Sequence, residues 1–188
     1  MSNMILNINK IKILKEFSSG YHKRIYGRDI AKKLKMNQKT VSNVLNRLEK
    51  EHILEYKKEG KNKYYYLNEF YPHLKEVMEL IETQKKLDFL TKYKNLKETF
   101  SKLEERTQGI LIIFGSYASL SATEKSDLDV FVLGKIKDVD ELEEMYNIKI
   151  NIVRSSKSKF DKNENVIKEI IKTHIILKGK EEFIELLR

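Results

Sequence analysis

Two acids and a glycine–serine pair carry the clearest chemistry in this chain. Asp127 and Asp129 stand at the start of the apolar run Leu128–Leu133. Side chains alternate faces along a strand, so the two carboxylates share one side while Leu128, Val130 and Val132 take the other. Two carboxylates that close repel each other unless a cation lies between them. Oxygen ligands of this kind suit Mg2+, which is commonly held by one or two carboxylates plus substrate phosphates. Upstream, Ile110–Phe114 is an unbroken apolar run bounded by Gly109 and Gly115, the pattern of a buried strand. It stops at Gly115-Ser116. A glycine there lets the backbone approach a phosphate closely, and Ser116 adds a hydroxyl, with a backbone N–H if a helix starts at that point.

Gly-Ser, ten residues and then Asp-x-Asp resembles the DNA polymerase beta-like nucleotidyltransferase superfamily, in particular its minimal prokaryotic members. The resemblance covers roughly the second half of the chain. It implies that Gly115 and Ser116 hold the triphosphate of ATP or another nucleoside triphosphate, and that Asp127 and Asp129 are the catalytic acids that ligate Mg2+. It also implies a third acid on a later strand, and the best segment for it, Ile150-Asn151-Ile152-Val153, has Asn151 at that place. An amide carries no charge and cannot act as a base, so nucleotide binding with impaired transfer is expected. Ser119-Leu120 likewise stand where minimal members often carry Arg-Gly. Taken without the resemblance, the same residues also suit a βαβ-type core with a turn glycine and solvated edge acids.

The elements that must position this site occupy one part of the chain only. With 188 residues there is room for one domain or two small ones. Net charge divides them: residues 1–71 hold 16 Lys and Arg against 7 Asp and Glu, a net of +9, whereas residues 72–188 hold 21 of each. The excess points to a polyanion as partner of the first part. Cysteine is absent, and His22, His52, His73 and His174 lack ligand spacing, which argues against disulfides, thiolate sites and zinc. No apolar run approaches the ~20 residues of a membrane span. The N-terminus alternates polar and apolar residues without a signal-peptide core, so a cytoplasmic location is expected.

In the basic part, Ile5, Ile8, Ile11, Ile13, Leu14 and Phe17 mark a first helix, ended by Ser18-Ser19-Gly20. A short helix over Gly27–Leu34, a turn at Lys35-Met36-Asn37 and a helix over Gln38–Lys50 with Asn37 as N-cap follow. Ile53–Tyr56 and Lys63–Leu67 read as strands around a turn at 59–62. The run from Ile30 to Leu67 resembles prokaryotic winged helix-turn-helix regulators, with His52 where they often have glycine. That resemblance implies double-stranded DNA as partner, with Gln38, Lys39, Thr40, Ser42, Asn43 and Arg47 on the reading helix and Lys61, Asn62 and Lys63 of the wing near phosphates. The rival use is a helix–hairpin protein-interaction module. Tyr64-Tyr65-Tyr66 is read as closing a core rather than stacking on bases.

Residues 73–106 form a helical linker opened by Pro72, and the loss of register at Gln84-Lys85-Lys86 predicts a bend or two helices rather than one rod. Phe89, Tyr93, Leu96, Phe100 and Leu103 recur at 4-3-4-3, which suits either a dimerising seam or a helix lying on the following sheet. Lys135–Tyr146 reads as an acidic helix with Leu142 and Met145 inward, and 154–159 as a basic loop whose cations could meet phosphate but whose default place is the surface. A helix or helix–strand from Val166 to Leu177 and a last helix from Glu181 to Leu187 close the chain.

The expectation is an α+β protein of two domains. A winged helix-turn-helix domain spans 1–71, a helical linker 72–106 and a small α/β nucleotidyltransferase-like domain 107–188. The function expected is a DNA-binding transcriptional regulator, acting as a homodimer, with a nucleotide- and Mg2+-binding domain. The rival is a working nucleotidyltransferase that moves a nucleotide monophosphate onto a protein or small-molecule hydroxyl. A toxin–antitoxin-type system with a small helical protein partner is a third use.

Overall fold

In a computed structural model the chain is described over residues 7–20 and 23–188; Ile5 and His22 lie outside the described residues. Its internal contacts divide it into two compact units, residues 1–81 with 187–188, and residues 82–186.

In the first unit, helix α1 (Ile8–Leu14) starts at Asn7, whose side chain accepts from Asn9 N at 2.9 Å. A two-residue strand β1 (Ile25–Tyr26) precedes helices α2 (Gly27–Leu34) and α3 (Gln38–Lys50). The turn between these helices needs a left-handed residue, supplied by Lys35 at φ 51. Asn37 caps α3 by accepting from Lys39 N at 2.8 Å, as its residue type predicts. Strands β2 (Leu54–Glu59) and β3 (Asn62–Leu67) form a hairpin in which Glu59 faces Asn62. Gly60, first of the two turn residues, has φ 60, the demand that places glycine there. The sheet order is β1-β3-β2, all antiparallel. Ile13, Leu14, Phe17, Ile30, Val41, Leu45, Leu48, Ile53, Leu54 and Leu67 are buried. So is Lys10, whose ammonium meets the Glu51 carboxylate at the end of α3.

His52 ends α3 in the left-handed region at φ 59, with its N–H on Glu49 O and the Ile53 N–H on Leu48 O. This is the helix stop that glycine makes without strain. His52→Gly is therefore expected to raise stability by ~1 kcal/mol. In urea the midpoint should move up at an unchanged slope; an unmoved or lower midpoint would count against the strain.

Residues 73–106 form two helices, α4 (Leu74–Lys92) and α5 (Lys97–Arg106), rather than one rod, but the break is not where the register predicts it. No bend occurs at Gln84-Lys85-Lys86. There Gln84 Nε2 donates to Asp88 Oδ1 at 2.8 Å and Lys85 pairs with Glu82 at 2.8 Å, both spacings that support a continuous helix. The interruption falls at Tyr93 (φ −107, ψ 52), which lets Phe89 on α4 face Phe100 on α5 at 4.8 Å. The apolar stripe Phe89, Tyr93, Leu96, Phe100 and Leu103 is buried in a core with Leu111, Ile113, Val130 and Val132. Of its two expected uses the stripe takes the second: it lies on the sheet and is not a dimer seam.

That sheet has the order β6-β5-β4-β7, made of β4 (Thr107–Ile113), β5 (Leu128–Ile136), β6 (Ile150–Ser155) and β7 (Ile175–Lys178). Only β5 and β6 are parallel. A single helical turn α6 (Gly115–Ala118) follows β4, and α7 (Asp140–Tyr146) crosses from β5 to β6. Leu142 points inward as expected, but Met145 is exposed and receives Lys102 Nζ on its sulfur at 3.4 Å. Strand β5 also runs on to Ile136, through the start of the helix expected from Lys135. Helices α8 (Asn165–Lys172) and α9 (Lys180–Leu187) complete the order. Ile110, Ile112, Phe131 and Leu133 are buried on the face opposite the Phe89–Leu103 stripe, where Phe160 lies 6.5 Å from Phe131 and 6.4 Å from Phe183.

A charged cluster is buried in this unit. Glu82 and His174 are 2 % and 3 % exposed, and Lys85 Nζ lies 2.8 Å from the Glu82 carboxylate and 3.2 Å from His174 Nε2. Burial pushes the Glu82 carboxyl up, but the His174 and Lys85 charges together outweigh it and hold it at about 2. No helix among the described residues is long and apolar enough to cross a membrane.

Candidate active site

The antiparallel pairing of β4 and β5 brings the glycine–serine turn to the acids. Ile113 faces Val130, and the Phe114 N–H donates to Asp129 O at 3.0 Å, so the chain leaves β4 directly beside Asp129. Leu128, Val130 and Val132 enter the core, which leaves Asp127 and Asp129 on the other face, as alternation requires. The parallel pairing of β5 and β6 then sets Asn151 opposite Asp129. Its Nδ2 lies 3.1 Å from Asp129 Oδ1 and 3.3 Å from Asp127 Oδ2. An amide donor thus sits between the two carboxylates, at the place expected for the third acid. Lys149, two residues earlier, brings its ammonium within 3.5 Å of Asp127 Oδ2.

Gly115 is required by both backbone and space. Its φ is +65, and a Cβ there would come within 2.3 Å of Asp129 Oδ2. Ser116 is held by its carbonyl, which accepts from Ser121 N and Ala122 N at 3.0 and 3.1 Å and from Ser119 Oγ at 3.0 Å. Further on, Thr123 N donates to Ser126 Oγ at 2.9 Å and Ser126 N to Thr123 O at 3.0 Å. These short-range bonds shape the spacer that delivers Asp127.

Two carboxylate oxygens converging on one donor fit a single divalent cation shared with phosphates. They do not make a three-acid set. Among the described residues no group of three or more His, Cys, Asp or Glu side chains could hold a metal. With a cation present, the amide oxygen of Asn151 rather than its nitrogen is the group that suits it.

On its other side Gly115 borders a cleft of about 250 Å³, lined also by Ser119, Glu169, Lys172 and Thr173. Strand β7 explains this grouping. It runs antiparallel to β4 with Ile175 opposite Ile113, so the end of α8 arrives at the site. Neither Lys172 nor Lys149 is visible as a site residue from the sequence. Lys172 needs the β4–β7 pairing, and the signal for Lys149 is only its two-residue offset from Asn151. Of the two uses expected for the basic loop 154–159, it takes the default one, a largely exposed surface segment that is not brought to the acids. Ser155 pairs with Leu133, four residues along β5 from Asp129, so it lies ~13 Å away at the opposite end of the strand.

In the first unit, the structure gathers part of the expected DNA-facing set. Gln38, Ser42, Lys61 and Lys63 line a notch of about 330 Å³, and Arg28 joins them unforeseen. Lys39, Thr40, Asn43 and Arg47 lie outside that notch. Arg47 pairs with Glu51 at 3.0 Å, and Lys63 Nζ stands 3.8 Å over the Tyr56 ring. Of the tyrosines, Tyr65 is buried and donates to Asn46 Oδ1 at 2.9 Å, while Tyr64 packs on Tyr26 with ring centres 5.7 Å apart. Both serve the packing of the hairpin.

Residues 94–183 match the family model described as Polymerase beta, Nucleotidyltransferase. The match takes in Gly115, Ser116, both acids and Asn151, and the C-terminal part of the chain is accordingly a nucleotidyltransferase-like domain. Neither the curated proteins nor the solved structures give a match to the chain.

Proposed function

We propose that this protein is a DNA-binding transcriptional regulator whose nucleotidyltransferase-like domain binds a nucleoside triphosphate with Mg2+ and is deficient in transfer. One observation carries the reading of the second part: an amide stands between Asp127 and Asp129. The two acids would hold the Mg2+, which would supply charge neutralisation to the phosphates. Gly115 lets the backbone close on them, and the Ser116 hydroxyl and N–H are donors. Asn151 cannot take a proton from an attacking hydroxyl, so the step that needs a base has none from this position.

The reading of residues 1–71 as a winged helix on DNA rests on three supports. The net +9 lies wholly there; α2, α3 and the β2–β3 hairpin follow each other in the expected order; and cations from α2 and the hairpin flank Gln38 and Ser42 of α3. A nucleotide regulates such a protein only if it binds two states of it with different affinity. The homodimer requires a surface other than the Phe89–Leu103 stripe.

The test uses the full chain. Calorimetry should show ATP binding that depends on Mg2+, and label transfer from radiolabelled ATP should stay near background. Asn151→Asp should raise transfer about tenfold or more. Duplex DNA should bind with a steep salt dependence, log K falling by ~0.9 for each phosphate neutralised. Strong transfer by the natural chain, abolished by Asp127→Ala, would make the protein the active enzyme instead. Absence of DNA binding at low salt would leave the first unit as a protein-interaction module.

A further inference from the structure

We infer that the cleft between Gly115 and the end of α8 receives the terminal phosphates of the nucleotide, with Lys172 as their cation and Glu169 as the group that limits how much negative charge enters. This rests on the nucleotide-binding reading of the Asp127–Asp129 site and extends it to residues outside the Gly-Ser and Asp-x-Asp pattern.

Gly115 is the shared wall. One side of it is in contact with Asp129, at 2.3 Å from the position of a Cβ, and the other side lines the cleft. A ligand whose phosphates cross this glycine therefore runs from the carboxylates into the cleft. Size argues for a part of the ligand: about 250 Å³ is below the ~300–1,000 Å³ of sites that enclose a whole small molecule. A phosphate tail needs no more than such an annex.

Charge identifies Lys172 as the group that acts there. A lysine in the last turn of a helix is ordinarily explained by the helix dipole. Here the end of α8 is already satisfied. Glu169 O accepts from Thr173 N at 3.0 Å, and the buried His174 ring sets Nδ1 at 2.8 and 3.2 Å from Ile170 O and Ile171 O. Lys172 is exposed, and its ammonium makes no ion pair or hydrogen bond with the described residues. A terminal phosphate with a charge of about −1.5 to −2 fits one ammonium of this kind. Glu169 lines the same cleft and repels the phosphate, so affinity there is set by the balance of the two side chains.

The experiment titrates the full chain with adenosine mono-, di- and triphosphate and with inorganic triphosphate, at fixed Mg2+, by calorimetry. Lys172→Ala should weaken triphosphate binding about tenfold and change monophosphate binding less than about twofold. Lys172→Arg should recover most of the loss, and Glu169→Gln should tighten the triphosphate. Inorganic triphosphate that binds as tightly as ATP, with the same dependence on Lys172, would keep the cleft as a polyphosphate site and remove the nucleoside from it. The inference fails if the natural chain binds ATP in a manner that Asp127→Ala weakens, yet Lys172→Ala binds all three nucleotides unchanged or loses them equally. If the natural chain binds none of the four ligands, the nucleotide reading itself has failed and the inference falls with it.

Discussion

Replacing Glu82 with alanine lowers the stability of residues 82–186 by about 3–5 kcal/mol, the cost of removing one partner from a buried ion pair. The carboxylate is 2 % exposed and faces Lys85 at 2.8 Å and His174 at 3.3 Å, so the variant takes the counter-charge away from the Lys85 ammonium in a mostly buried place. Against a total of about 5–15 kcal/mol for a domain, this is a large fraction. Urea unfolding measures it; a loss below ~1 kcal/mol would mean that water reaches the cluster. Replacing Glu82, Lys85 and His174 together by apolar residues should restore much of the loss, because no charge is then left unpaired. The same carboxylate sets a pH dependence. Its carboxyl is held at about 2 in the folded chain against an ordinary 4.5, a depressed value. Its contribution, about 3 kcal/mol by the usual conversion, is therefore complete above pH ~4.5 and is lost as pH falls toward 2. Glu82→Gln should flatten that acid limb.

Gly115→Ala is the second large effect. The added carbon meets Asp129 Oδ2 at 2.3 Å on a backbone at φ +65. The left-handed residue costs ~1–2 kcal/mol of stability. The carboxylate must also swing away from Asn151 and from the place of a cation. Mg2+-dependent ATP binding should fall about tenfold or more, to the level of Asp129→Ala, while the duplex DNA binding proposed for the first unit should be unchanged. Undiminished ATP affinity would separate Gly115 from the nucleotide altogether. Circular dichroism of the variant checks that the loss is local.

What could be read from the sequence was what local spacing decides. Helices Gly27–Leu34 and Gln38–Lys50 are as their periodicity and the Asn37 cap predict, and the hairpin closes on Gly60. Burial of Ile150 turns Asn151 to the face of the acids, a phase legible in the sequence, and the pairing of β6 with β5 then sets it opposite Asp129. Several of the failures are of partner choice. A stripe spaced 4-3-4-3 declares an apolar face without naming what covers it, and here the sheet covers it. The Gln84-Lys85-Lys86 segment loses its apolar period but keeps its helix through side-chain pairs. Lys172 rather than loop 154–159 lies beside Gly115 because β7 runs antiparallel to β4 while β6 runs parallel to β5, a choice made by topology rather than by the residues themselves.

The place of β6 at the margin of its sheet has a consequence for how the site holds together. Strands β4 and β5 are hydrogen-bonded on both sides, whereas among the described residues β6 is bonded on one side alone. Such a strand can open in a local excursion that costs far less than global unfolding. Asp129, on β5, therefore belongs to a more protected part of the domain than Asn151, while Asp127 stands just before the strand. Between openings Asn151 bridges a pair of like charges; during them the pair is left to repel, or to take up a cation from solvent.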